Sequence, residues 1–142
     1  MSAAMEGCLE GIPSIGFSLC DFSWQANFEE ALPFIKRICE SVLEKGLSAK
    51  TVLNVNIPQF NGEAYKGIKV CRQANGNWEE EFDRREDPRS RNYFWLTGKF
   101  VDYDKGDDTD EWALANNCIS MVPMTSDLTA HHLIGTMKNW EL

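Results

Sequence analysis

The stretch IPSIGFSLCDFSWQANFEEALPFIKRICESVLEKGLSAKTVLNVNIP, residues 12–58, decides the fold class. Ile15–Leu19 is a short apolar run, the pattern of a strand covered on both faces. Thr51–Ile57 is a second such run, closed by Pro58. Between them Phe28, Leu32, Ile35, Cys39 and Val42 recur at spacings of three and four, which predicts a helix from Asn27 to about Lys45 with Gly46 past its end. Pro33 sits too deep for an unbroken helix from Asn27, so the helix either kinks there or starts later. Strand, helix and strand over about 40 residues form a parallel crossover unit. Parallel sheets occur almost only as larger arrays with helices on both faces, so the two strands are expected to need neighbours that the sequence does not supply.

Upstream, Met1–Leu9 spreads Ala3, Ala4, Met5, Cys8 and Leu9 around most of a helical wheel, the mark of a helix buried on most sides, and Gly11 and Pro13 stop it. The chain therefore reads as though it opens in mid-protein. Downstream, Gly67–Ala74, a turn at Asn75-Gly76-Asn77, Trp78–Phe82 and Asn92–Phe100 predict an antiparallel ribbon. Asp102–Asp110 reads as an acidic loop feeding a short helix, with Asp108 and Glu111 at capping-box spacing. Ile119–Val122 is a brief strand ended by Pro123. Ser126 or Asp127 then caps a last helix carrying Leu133, Met137 and Trp140 on one stripe.

At 142 residues and 43% hydrophobic, the chain fits one domain with a core of its own. A net charge of −8 disfavours a nucleic-acid polymer or an anionic membrane as the main partner, because both require clustered Lys and Arg. The five cysteines, Cys8, Cys20, Cys39, Cys71 and Cys118, are odd in number and form no C-x-x-C pair. They read as reduced core residues of a cytoplasmic protein. No apolar run reaches the length of a membrane-spanning helix.

The densest candidate chemistry is DRREDPRSRNYFWL, residues 83–96, where Arg84, Arg85, Arg89 and Arg91 stand out in an acidic chain. Arginine forks hold phosphate oxygens and aromatic faces hold bases, so this could be the lip of a nucleotide site. The alternative is a solvated hairpin tip with Tyr93, Phe94 and Trp95 in an interface. DYDKGDDTDE, from Asp102, fails as a calcium loop: glycine falls at position five and position twelve is Ala113. His131 and His132 point in different directions on a helix and cannot jointly ligate a metal, whereas Asp127 and His131 are spaced for a polar contact. The glycines form neither a dinucleotide fingerprint nor a phosphate-binding loop.

SAAMEG followed by GIPSIGFSL, then LNVNIP, KGIKVCRQ, RREDPRSRNYFWLTG, DDTDEWAL and ISMVPMTSDLTAHH, resembles the C-terminal portion of the stationary-phase survival protein SurE family, metal-dependent 5′/3′-nucleotidases. The blocks agree in order along nearly the whole chain. The resemblance implies an α/β class: the distal half of a SurE-like, Rossmann-type three-layer fold, with a parallel sheet and helices, an antiparallel β-hairpin extension and a C-terminal helix. On it, residues 1–58 are the end of the α/β core, 67–100 the hairpin extension, and 109–142 the return to the core and the oligomerisation helix.

The resemblance also implies a divalent metal, Mg²⁺ or Mn²⁺, which polarises a phosphoryl oxygen and orients a water for in-line attack. The family's ligands, an N-D-D-G pair, a serine and an asparagine ahead of Y-S-G-T, lie upstream of the segment matching Ser2–Gly7. No metal ligand or catalytic residue is therefore assigned to this chain. Asp107-Asp108 imitates the aspartate pair in letters only, because the family's G-T-D block occupies that place. Arg89, Tyr93 and Trp95 are expected at the rim of the substrate site or in an interface, although the family pattern often has glycine where Ser90 stands. The implied partners are a nucleoside monophosphate and further copies of the chain, a dimer or tetramer joined through residues 83–96 and the last helix. Two readings follow: part of a nucleotidase, inactive alone, or a truncated, non-catalytic interaction module.

Overall fold

A computed structural model describes residues 1–140. The main sheet has four strands in the order β1 (Ser14–Cys20), β2 (Thr51–Pro58), β6 (Ile119–Thr125), β3 (Ile68–Val70), numbered along the chain. A separate two-stranded hairpin pairs β4 (Gly76–Glu86) with β5 (Asn92–Asp102). The helices are α1 (Ser2–Leu9), α2 (Leu32–Lys45), α3 (Asp110–Ala115) and α4 (His131–Met137).

The crossover predicted from residues 12–58 is present: β1 and β2 run parallel, Ile15 beside Leu53 and Phe17 beside Val55. Side-chain alternation sorts the two faces. Leu53, Val55 and Ile57 of β2 and Ile119 of β6 point to one side, where Ala31 and Ile38 close over them to make the main core. Ile15, Phe17 and Leu19 of β1, with Phe34, Ile35 and Val42, pack around it. On the other side Val122 packs with Ala113 of α3, and Gly16 lies beneath Met1 and Ala4 of α1. The sheet is thus sandwiched between α2 on one face and α1 and α3 on the other.

Several local expectations are corrected. Asn27 does not cap a helix: its Oδ1 accepts from the Glu29 amide, a 3₁₀ turn spans Glu29–Ala31, and α2 begins at Leu32 with Pro33 in its first turn. There the missing N–H costs nothing, because no intrahelical acceptor awaits it. The buried stripe of α2 runs through Ile38, leaving Phe28 and Leu32 about half exposed. Residues 68–70 leave the ribbon and join the main sheet, parallel to β6, because Ile68 pairs with the fully buried Ile119. The parallel pair also finds a neighbour within the chain, since β6 lies antiparallel along β2. The far edge of β1 is unpaired among the described residues. The cap of α3 is Thr109, whose Oγ1 accepts from the Trp112 amide, and not Asp108. Neither Ser126 nor Asp127 caps α4; Asp127 accepts from the Thr129 amide in the preceding turn. Positions 141 and 142 of the predicted C-terminal region lie outside the described residues.

Candidate functional site

The hairpin carries the residues singled out in sequence. Its register sets Arg85 opposite Tyr93, Asp83 opposite Trp95 and Glu81 opposite Thr97, so these six share one face. The Arg85 guanidinium lies 5.4 Å from the Trp95 ring and donates to Asp83 Oδ2 at 2.8 Å. The carboxylate, more than any other neighbour, holds Arg85 above its ordinary pKa. Glu81, Asp83, Arg85, Trp95 and Thr97, with Phe82, line an open depression of about 530 Å³. Tyr93 and Trp95 are therefore brought together on this face, and Arg85 joins them.

Arg89 stands apart at the tip. Asp87 organises that turn: its Oδ1 accepts from the amides of Arg89 and Arg91, and its Oδ2 from the Arg91 guanidinium. Ser90 takes the left-handed conformation, φ 58°, a backbone region that favours glycine, at a cost of roughly 1 kcal/mol or more. The opposite face of the hairpin is apolar: Trp78, Phe82, Phe94, Leu96 and Phe100 are all exposed. Gly98, φ 154°, leaves the space that the Trp78 indole occupies across the strands.

The acidic loop that resembles a calcium site is consumed by Arg72. Its Nε donates to Asp108 at 2.8 Å, and its Nη1 and Nη2 grip Asp104 in a two-pronged pair at 2.5 and 2.9 Å. Asp104 also accepts from the Gly106 and Asn75 amides, and Tyr103 N–H donates to Asn75 O. This clasp ties the base of the hairpin to the chain leading into α3. Among the described residues no three His, Cys, Asp or Glu groups come together to hold a metal ion. With Asp108 committed to Arg72, the Asp107-Asp108 pair does not fit a divalent cation.

A second candidate site lies on the α1/α3 face of the sheet, and the sequence reading passed over it. Ser18, Asn56 and Ser120 form one cross-strand row, and Gly16, Asn54 and Val122 the next. An interior strand normally carries apolar residues on both faces, so two asparagines on one face of β2 are a departure. Both are half-buried, and neither side chain is hydrogen-bonded among the described residues. A cavity of about 130 Å³ opens there, lined by Met1, Asn54, Gln73, Asp110, Val122 and Met124. Asp110 Oδ1 accepts from the amides of Ala74 and Glu111. The Glu111 carboxyl is pushed above its ordinary pKa by burial and then by Asp110 and Asp102, and the Cys20 thiol at the end of β1 is raised by burial first and by Glu111 second. The signal available in sequence was the N-x-N alternation at 54 and 56.

Comparison with known proteins now decides the family. A sequence profile described as Survival protein SurE matches residues 1–80, more than half of the chain. The chain belongs to the SurE family. The "5'-nucleotidase SurE" of Flavobacterium psychrophilum is 57% identical over 142 residues, covering 100% of this chain and 55% of the relative. That of Cytophaga hutchinsonii is 51% identical, with 99% and 55% covered. A crystal structure of the SurE protein from Aquifex aeolicus matches with a TM-score of 0.78 at 36% identity, over 96% of this chain and 55% of that one. The chain thus spans about half the length of the relatives it matches. The SurE-like α/β class, with its sheet, helices and hairpin, is the fold observed.

The clasp generates a titration. Asp104 has a carboxyl pKa far below the ordinary range because Arg72 and the Gly106 amide favour its charged form. A folded pKa below the unfolded one means that the clasp's contribution is fully present above the ordinary carboxylate value and is lost only as pH falls through the depressed one. Carboxyl NMR should show Asp104 still ionised at about pH 3, and Arg72→Ala should move its midpoint up toward about 3.9.

Proposed function

We propose that this chain is the distal part of a nucleotidase that hydrolyses nucleoside 5′- and 3′-monophosphates to nucleoside and phosphate. The observation that carries the reading is alignment of the whole chain, at 57% identity, with a relative named for 5′-nucleotidase activity. The Mg²⁺ or Mn²⁺ such an enzyme requires is assigned to residues outside this chain; among the described residues no cluster of carboxylates comes together to hold it. What this chain supplies is scaffold and enclosure. Arg89, Tyr93 and Trp95 are assigned to the rim of the substrate site or to an interface, with Arg85 holding the Trp95 ring in place. No helix of the described residues is long and apolar enough to cross a membrane, and all five cysteines are free thiols, which suits the cytoplasm.

A second reading, a non-catalytic interaction module, draws on the exposed apolar faces of the hairpin and of α4, where Leu133, Ile134 and Met137 are uncovered. Both readings place a homo-oligomer, dimer or tetramer, on residues 83–96 and the last helix. Neither calls for a nucleic-acid polymer or a membrane as partner.

The 142-residue chain alone is expected to release no phosphate from nucleoside monophosphates with Mn²⁺ present; turnover that a chelator abolishes would overturn the placement of the metal. Joined to the upstream half of the Flavobacterium relative, it should hydrolyse them, and failure of the joined, folded protein favours the interaction module. Sedimentation should give a dimer or tetramer that Phe94→Asp with Leu96→Asp shifts toward monomer by at least tenfold in dissociation constant. A wild-type monomer at micromolar concentration removes the oligomer assignment.

A further inference from the structure

We propose that Arg72 is the positioning residue of the hairpin: its guanidinium fixes the direction in which β4 and β5 leave the core, and so places every side chain that the hairpin carries. It does so whatever reaction the whole protein carries out. The hairpin needs such a device. Its strands pair with each other along their whole length, and neither makes more than marginal contact with any other helix or strand of the described residues. Both strands are exposed over most of their length. A two-stranded ribbon has no buried face to hold it against a core, so its angle is set at its root, residues 72–76 on the way in and 102–108 on the way out.

Each side of the root has its own tie. The entering chain is held by Asp110, whose Oδ1 accepts from the Ala74 amide at 2.8 Å. The leaving chain is held by Arg72 through Asp104, just past the end of β5. A single attachment leaves a swivel, and the second removes it. Arg72 is itself a fixed post: it follows buried Cys71, whose amide donates to Met121 O in β6, and its own amide donates to Asp108 O while its carbonyl accepts from the Asp110 amide. From that post Nε donates to Asp108 on the core side, and Nη1 and Nη2 donate to Asp104 on the hairpin side. Donors fanned in one plane onto two carboxylates are a guanidinium's task and not an ammonium's. The Asp104 side chain is only 14% exposed, so solvent screens this pair less than an ordinary surface ion pair. Gly106 lets the loop close over the guanidinium: a Cβ there would stand 2.5 Å from Asp108 Oδ1 and 2.7 Å from Arg72 Nη2, atoms that can yield only by leaving the clasp.

The test uses the 142-residue chain, weakly aligned for residual dipolar couplings, with the amides of β2 and β6 and those of β4 and β5 fitted separately. The wild-type chain should give one alignment tensor for both sets. Arg72→Ala should split them, the hairpin's alignment falling to about half that of the core or less as the arm swivels about residues 73–75. Cross-strand contacts within the hairpin, such as Arg84 opposite Phe94, should persist in that variant, as should slow exchange in β2, which separates lost direction from lost structure. Arg72→Lys keeps the charge without the fork and should restore about half of the lost alignment or less. Where Arg72→Ala does not fold, Gly106→Ala opens the clasp from the loop side and should produce the same split. A single tensor in the folded variant, full recovery by Arg72→Lys, or separate tensors in the wild type would each overturn the assignment. So would loss of the hairpin's own cross-strand contacts in Arg72→Ala, since Arg72 would then hold the strands together and not aim them.

Discussion

Everything in this molecule is placed by the parallel pairing of β1 with β2. Seven consecutive register pairs, Ser14 with Val52 through Cys20 with Pro58, fix which side chains face α2 and which face α1 and α3. A slip of one residue would turn Leu53, Val55 and Ile57 onto the wrong side and bring Asn54 and Asn56 into the core, where an unpaired carboxamide costs several kcal/mol. The apolar face therefore locks the polar one. Asn54 and Asn56 can stand without side-chain hydrogen bonds among the described residues because the alternate positions bury enough surface to hold the strand where it is.

The two faces have different tasks. Toward α2 the sheet is apolar, with Val55 and Ile119 wholly buried. Toward α1 and α3 it carries Ser18, Asn54, Asn56 and Ser120, and the covering helices leave a gap between them. Ligand sites of open α/β sheets gather where helices part and strand ends are reached. The Arg72 clasp fixes the base of the hairpin to the segment that begins α3, so one loop, residues 102–110, sets both the hairpin's root and the Asp110 carboxylate.

Much of the fold was legible because the 3.6-residue and two-residue periods of α2, β1 and β2 are strong and the turn residues agree with them. The errors arose where tertiary pairing overrode local pattern. Residues 68–70 look like ribbon in sequence, yet Ile68 is claimed by Ile119 in the main sheet. Thr109 displaces Asp108 as the α3 cap because Arg72 takes the Asp108 carboxylate first. At the candidate site, Tyr93 and Trp95 were readable from composition, whereas their partner Arg85 required the hairpin register. The cavity set was hidden for a similar reason: Asn54, Gln73 and Asp110 are far apart in sequence, and only the sheet and the Arg72–Thr109 bridge bring them together.

The pairing of β1 with β2 is tested most directly by amide hydrogen exchange along residues 14–20 and 51–58. A strand held on both sides, as β2 is by β1 and β6, should exchange uniformly slowly from Val52 to Ile57. β1, held on one side among the described residues, should alternate between slow and fast amides. That result supports the account; exchange in β2 as rapid as in the exposed hairpin, or no alternation in β1, would contradict it.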